Sequence, residues 1–116
     1  MKTAVIGSRN LQIEELETYL PEGTNEIVSG GARGIDRCAA MCARKNGWKL
    51  TEFLPDYRRY GRGAPLIRNR QIAEYADVVI AFWDGRSRGT KHTIDYCGKI
   101  GRAVRIIPIQ KTPDDP

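Results

Sequence analysis

Asp77-Val78-Val79-Ile80-Ala81-Phe82-Trp83-Asp84-Gly85-Arg86-Ser87-Arg88-Gly89-Thr90, residues 77 to 90, decides how the rest of the chain is read. From Val78 to Trp83 the run is apolar and does not alternate. A strand with one face in water alternates apolar and polar side chains, so an unbroken run belongs to a strand covered on both faces, as parallel strands are. We expect it to be the central strand. At six residues the run is also far short of the roughly 20 that cross a bilayer. Residues 84 to 90 follow as a glycine-bearing loop, and Lys91 to Ile100 as a helix that Gly101 ends.

Upstream, Pro65 to Tyr75 reads as a helix with Ile72, Ala73 and Ala76 on its inner face. An arginine-rich loop precedes it, and before that a strand from Lys49 to Leu54 closed by Pro55. Ile35 to Lys45 is an alanine-rich helix stopped by Asn46-Gly47, with a short strand, Asn25 to Ser29, before it. Lys2 to Ile6 is the first strand. Asn10 to Leu20, with Leu16 and Leu20 four apart and Pro21 beyond, reads as a helix. Downstream, Ala103 to Ile109 is the last strand. Strand and helix alternate, which predicts an α/β fold: a doubly wound, mostly parallel Rossmann-like sheet of about five strands with helices on both faces. One domain is expected over residues 1–111, with 112–116 a disordered tail.

The net charge of +5 divides into −3 over residues 1 to 30, +10 over residues 31 to 111 and −2 over the last five. Tyr57 to Gln71 holds Arg58, Arg59, Arg62, Arg68 and Arg70 and no acid. Arginine's fork suits phosphate and carboxylate oxygens. Cys38, Cys42 and Cys97 form no CxxC pair and His92 is the single histidine, a poor zinc set, so no metal is expected and the cysteines read as reduced core residues. His92 reads as a surface or structural residue. Neither a signal peptide nor a membrane span is expected, which points to a cytoplasmic protein.

In an open parallel sheet, ligands sit beyond the carboxyl ends of the strands. Three such ends carry glycine, a hydroxyl and arginine together: Gly7-Ser8-Arg9, then Ser29-Gly30-Gly31-Ala32-Arg33-Gly34-Ile35-Asp36, then Asp84 to Thr90. Glycine lets the backbone N–H groups converge on an anion, and a helix is expected immediately after each loop, adding unpaired donors and about half a positive charge. A phosphate-bearing ligand explains all three residue types. The loops fit neither GxGxxG nor GxxxxGK[ST], which disfavours a dinucleotide fingerprint and an ATP-cleaving loop. Asp36 reads as a helix cap first and a ribose contact second, and Trp83 equally as a base-stacking or a core residue.

Through these loops, with Arg68-Asn69, Ala76-Asp77 and Ala81 to Gly85, the chain resembles the SLOG superfamily of Rossmann-like nucleotide-binding domains, in particular its small YspA/YpsA-related branch in bacteria and phages. The resemblance implies sensing of a nucleotide or nucleotide-derived ligand such as an ADP-ribose-like one, and pairing into a homodimer. Phosphate would be held by Ser29 to Gly34 and by Ser87, Gly89 and Thr90, with Gly7, Ser8, Arg9, Arg33, Arg68 and Asn69 around it and Asp84 and Trp83 at sugar and base. No other cofactor is expected. The chain is also similar to the Lonely Guy type phosphoribohydrolases, which implies N-glycoside hydrolysis of nucleoside monophosphates. Their catalytic glutamate is replaced by Thr93, which leaves Asp84 and Arg68 as catalytic candidates, with Asp36 and Asp95 as substitute carboxylates. A third similarity, to the DNA-processing protein A core, implies single-stranded nucleic-acid binding, with Tyr57, Tyr60 and Trp83 stacking on bases. Nucleic acid ranks behind a small phosphorylated ligand in this reading.

Overall fold

In a computed structural model, which describes residues 1–7, 11–31 and 34–109, the chain forms one five-stranded parallel sheet of order β3-β2-β1-β4-β5. The strands are β1 (Lys2–Gly7), β2 (Glu26–Ser29), β3 (Lys49–Glu52), β4 (Val78–Trp83) and β5 (Ala103–Pro108). The helices are α1 (Ile35–Asn46), α2 (Tyr57–Tyr60), α3 (Ala64–Tyr75) and α4 (Arg88–Ile100). Every strand pair is parallel, with Val5 beside Ile80 and Val79 beside Val104.

Alternation along the strands sorts the core into two layers. Val5, Ile27, Ile80 and Phe82 pack with Leu16, Ile35, Ala39, Cys42 and Ala43 under α1. Ala4, Ile6, Val28, Val79 and Ala81 pack with Ile72, Ala73, Ala76 and Cys97 under α3 and α4. The inner face expected for α3 is therefore the observed one. The α1 spacing of buried residues, 35, 39, 42 and 43, is one helical stripe. Gly47 and Gly101 end α1 and α4 at φ 69° and 74°, where their N–H groups reach carbonyls of the last turn. Cys42 and Cys97 are buried, Cys38 half-buried, and all three are unbonded to one another.

Three expectations need correction. The central strand is β1. β4 lies beside it, and because β5 covers its other edge and a helix layer each face, it carries the unbroken apolar run all the same. Within Asn10 to Leu20 the described residues form only a 3-10 turn, Leu16–Tyr19, entered through Glu15 in the left-handed region at φ 52°. Leu11 and Ile13 both pack on the core. A spacing of two puts side chains on one side of an extended chain but on nearly opposite sides of a helix, so core burial wins over helix propensity here. The arginine-rich loop is not irregular. Asp56 accepts the Arg59 N–H and caps α2, and a 3-10 turn, Gly61–Gly63, follows and runs into α3.

Candidate nucleotide-binding cleft

The chain leaves β1 over one layer and β4 over the other, so the connections diverge above the β1–β4 pair. A cleft of about 900 Å³ opens on this side of the sheet. The sequence-predicted residues that line it are Gly7 at the end of β1, Gly30 and Gly31 after β2, Asp36 in α1, Arg68 and Asn69 in α3, and Ser87, Gly89 and Thr90 at the start of α4.

Arg68 is the residue that ties the cleft together. Its Nη1 donates to the Gly30 carbonyl at 2.9 Å and to the Phe53 carbonyl at 3.5 Å, and its Nε donates to Asn69 Oδ1 at 2.9 Å. The guanidinium thus rests on the carboxyl ends of β2 and β3. These three bonds all run to neutral oxygens, and the Asp36 carboxylate lies on the same side of Gly30. A cation held by neutral carbonyls keeps its attraction for an incoming anion. Gly30 makes this seat: a Cβ there would lie 2.9 Å from Arg68 Cζ and 3.2 Å from Asp36 Oδ2. Gly31 has φ +70° and the side chains of Leu54 and Glu52 close by.

At the start of α4, Ser87 Oγ and Thr90 Oγ1 are 3.2 Å apart, and Thr93 Oγ1 donates to the Gly89 carbonyl. The helix begins at Arg88, three residues earlier than expected, so its first N–H groups come to the cleft. Ser29, at the end of β2, is fully buried, and its Oγ finds no partner among the described residues. Expected at the phosphate, Ser29 does not line the cleft.

Other expected residues fall elsewhere. Gly34, at φ 73°, is the N-cap of α1, so Asp36 lies in the first turn rather than at the cap. Trp83 does not line the cleft. Its indole N–H donates to the Ser87 carbonyl, and Asp84 Oδ1 accepts the N–H groups of Arg86 and Ser87. Both side chains shape the loop that presents Ser87. A helix directly after Gly7-Ser8-Arg9 is not formed at residues 11–15, so two of the three loops, not three, lead into helix starts. Ser8, Arg9, Ala32 and Arg33 lie outside the described residues. His92 is on the α4 surface with Arg70 Nε 3.4 Å from its Nε2.

Leu54, Pro55, Tyr57, Pro65 and Leu66 also line the cleft. They follow β3, and the rule that places ligands at strand carboxyl ends would have included that end had it not lacked glycine. A second groove of about 790 Å³ lies between residues 12–17 and α1. Glu14, Glu15 and Glu17 line it together with Arg37 and Lys45, a mixed charge with no excess of cations to draw phosphate. Among the described residues no three His, Cys, Asp or Glu side chains are grouped to hold a metal, and no helix is long and apolar enough to cross a membrane.

Fold and cleft define a Rossmann-like α/β protein with a cleft at the switch in strand order, where such folds place their ligands. The chain belongs to the family of the Gene 61 protein of Mycobacterium phage D29, with 36% identity over 96 residues, 78% of this chain and 73% of that protein. No protein-family model matches it. Among solved structures it is similar to DNA processing protein A from Streptococcus pneumoniae, with a TM-score of 0.73 and 27% identity over 97% of this chain. This chain spans 52% of that protein, about half its length. DNA processing protein A from Helicobacter pylori, whose structure concerns its single-stranded DNA binding mode, has the same fold at a TM-score of 0.72 and 22% identity, over 99% of this chain and 67% of that one.

Proposed function

We propose that the cleft binds a nucleotide unit of single-stranded nucleic acid, DNA first. One observation carries the reading: the Arg68 guanidinium, seated on neutral carbonyls, shares a 900 Å³ cleft with the Gly30-Gly31 turn and the start of α4. A cleft of that volume suits a nucleotide, and its donors suit the phosphate. The likeness to proteins that process DNA or bind single strands supports the polymer as partner. So does the basic middle of the chain, with Arg58, Arg59 and Arg62 exposed in the segment that follows Tyr57.

The size of the cleft favours a second reading, a free nucleotide-derived ligand sensed by a member of the YspA-related branch. The hydrolase reading has less to work with. Thr93 is buried and bonded to its own helix, and Asp36 is the carboxylate that lines the cleft among the described residues.

Fluorescence anisotropy with a labelled single-stranded oligonucleotide tests the proposal. We expect affinity to fall steeply as salt rises, and Arg68→Ala to weaken binding about ten- to hundredfold, the worth of a charge-assisted hydrogen bond. No binding by the wild type, together with a melting shift from a mononucleotide panel, would move the assignment to the second reading.

A further inference from the structure

The lining of the cleft is chemically mixed, polar groups and carbon side chains meeting in one space. Polar groups come from the Gly30-Gly31 turn, Arg68 and the start of α4. Apolar ones come from Leu54, Pro55, Tyr57, Pro65 and Leu66, after β3 and at the start of α3. Three of these stand open to solvent, Leu54 at 65%, Tyr57 at 58% and Leu66 at 42%. Scattered exposed apolar residues need no explanation, but three lining one cleft do.

Tyr57 differs from the other aromatic candidates. Tyr60 is half-buried with the Arg59 guanidinium 5.3 Å from its ring, and Trp83 is held by Ser87 outside the cleft. Beside Tyr57, Arg58, Arg59 and Arg62 are exposed and form no ion pair among the described residues.

Resting on the proposed function, we infer that these apolar residues form a wall that takes the base while Arg68 and the start of α4 take the phosphate, and that Tyr57 is the stacking platform. The occupant is one unpaired base of a polyanion, whose neighbouring phosphates meet Arg58, Arg59 and Arg62. A duplex keeps its bases stacked inside and offers no free face to Tyr57, so the wall selects single strands. The wall presents carbon rather than hydrogen-bonding side chains, apart from the tyrosine hydroxyl. Recognition is therefore by ring area and largely indifferent to base identity.

The test measures anisotropy for wild type, Tyr57→Ala, Tyr57→Phe and Arg68→Ala on a thymine homopolymer and on an abasic strand of equal length, with a duplex as third probe. Wild type is expected to bind the abasic strand and the duplex about five- to hundredfold more weakly than the homopolymer, the worth of one stacked base. Tyr57→Ala is expected to lose the same factor on the homopolymer and nothing further on the abasic strand, and Tyr57→Phe to keep wild-type affinity. Unchanged binding by Tyr57→Ala, or an equal loss on both strands, overturns the inference while leaving the proposed function standing if Arg68→Ala still weakens binding. Failure of the wild type to bind any strand overturns both. Tyr57 is largely exposed, so its variants should melt as the wild type does, which a thermal scan checks.

Discussion

Gly30 and Arg68 show how much of the cleft rests on one pair. Replacing Gly30 by alanine leaves a tolerable backbone conformation but puts a methyl group against the Arg68 guanidinium and Asp36. The expected outcome is a cleft without its cation in place: Gly30→Ala should bind oligonucleotide about tenfold more weakly, close to Arg68→Ala, and the double variant should add little, since both remove one interaction. A double-mutant cycle by anisotropy measures this, and full additivity would show that Gly30 does not act through Arg68. Asp84 and Trp83 teach the converse. As residue types at a strand end they are plausible ligand contacts, yet both are occupied with residues 86 and 87. Nothing in the one-dimensional pattern distinguishes a carboxylate that meets a sugar from one that folds back on the next two N–H groups, because both need only aspartate before a glycine.

At the scale of elements, the helices with a single apolar stripe were legible. Ile35, Ala39, Cys42 and Ala43 recur at helical spacing, and Gly47 supplies the stop. Gly47→Ala and Gly101→Ala should each cost about 1 kcal/mol, because an L residue is strained in the left-handed region while open space rules out a clash. Chemical denaturation measures it, and an unchanged midpoint for both would show that the helix ends fray. The stretch from Leu11 to Leu20 was not legible, because its apolar residues satisfy two periods at once. Leu16 and Leu20 fit a helix, Leu11 and Ile13 an extended chain, and only the layer over β1 and β4 decides. The Tyr57–Gly63 segment failed for another reason. Its two glycines and three arginines suggest irregular chain, and the short helix there depends on one cap, Asp56, followed by tight 3-10 geometry.

The whole molecule divides its labour between the two ends of the sheet. At the carboxyl ends lies the cleft. At the amino ends carboxylates fasten the strands: Asp77 Oδ2 accepts the Lys2 N–H at 2.8 Å, and Glu26 Oε2 accepts from Tyr75 at 2.6 Å and Thr51 at 2.8 Å. The Lys2 N–H holds the Asp77 carboxyl below its usual value. At Glu26 burial works against ionisation, but Tyr75, Thr51 and the nearby lysines outweigh it and the carboxyl is again lowered. A carboxylate lowered in the folded state stabilises above its unfolded value and loses that contribution as pH falls through the folded one. Stability should therefore hold near neutrality and decline below about pH 4.5, the ordinary value for glutamate. Melting curves from pH 7 downwards check this. Glu26→Gln should decline less steeply, and a slope parallel to the wild type would remove Glu26 from the cause.

The same two-ended arrangement gives the protein its own optical readout. Of its two tryptophans, Trp48 precedes β3 at the amino end and Trp83 closes β4 at the other, its indole bonded to the Ser87 carbonyl that borders the cleft. A ligand that shifts Ser87 alters the polarity and hydrogen bonding felt by one fluorophore, while the other, on the far side of the sheet, serves as internal reference. Wild-type emission would then report occupancy without any label on protein or ligand, and Trp83→Phe should abolish the response while Trp48→Phe keeps it.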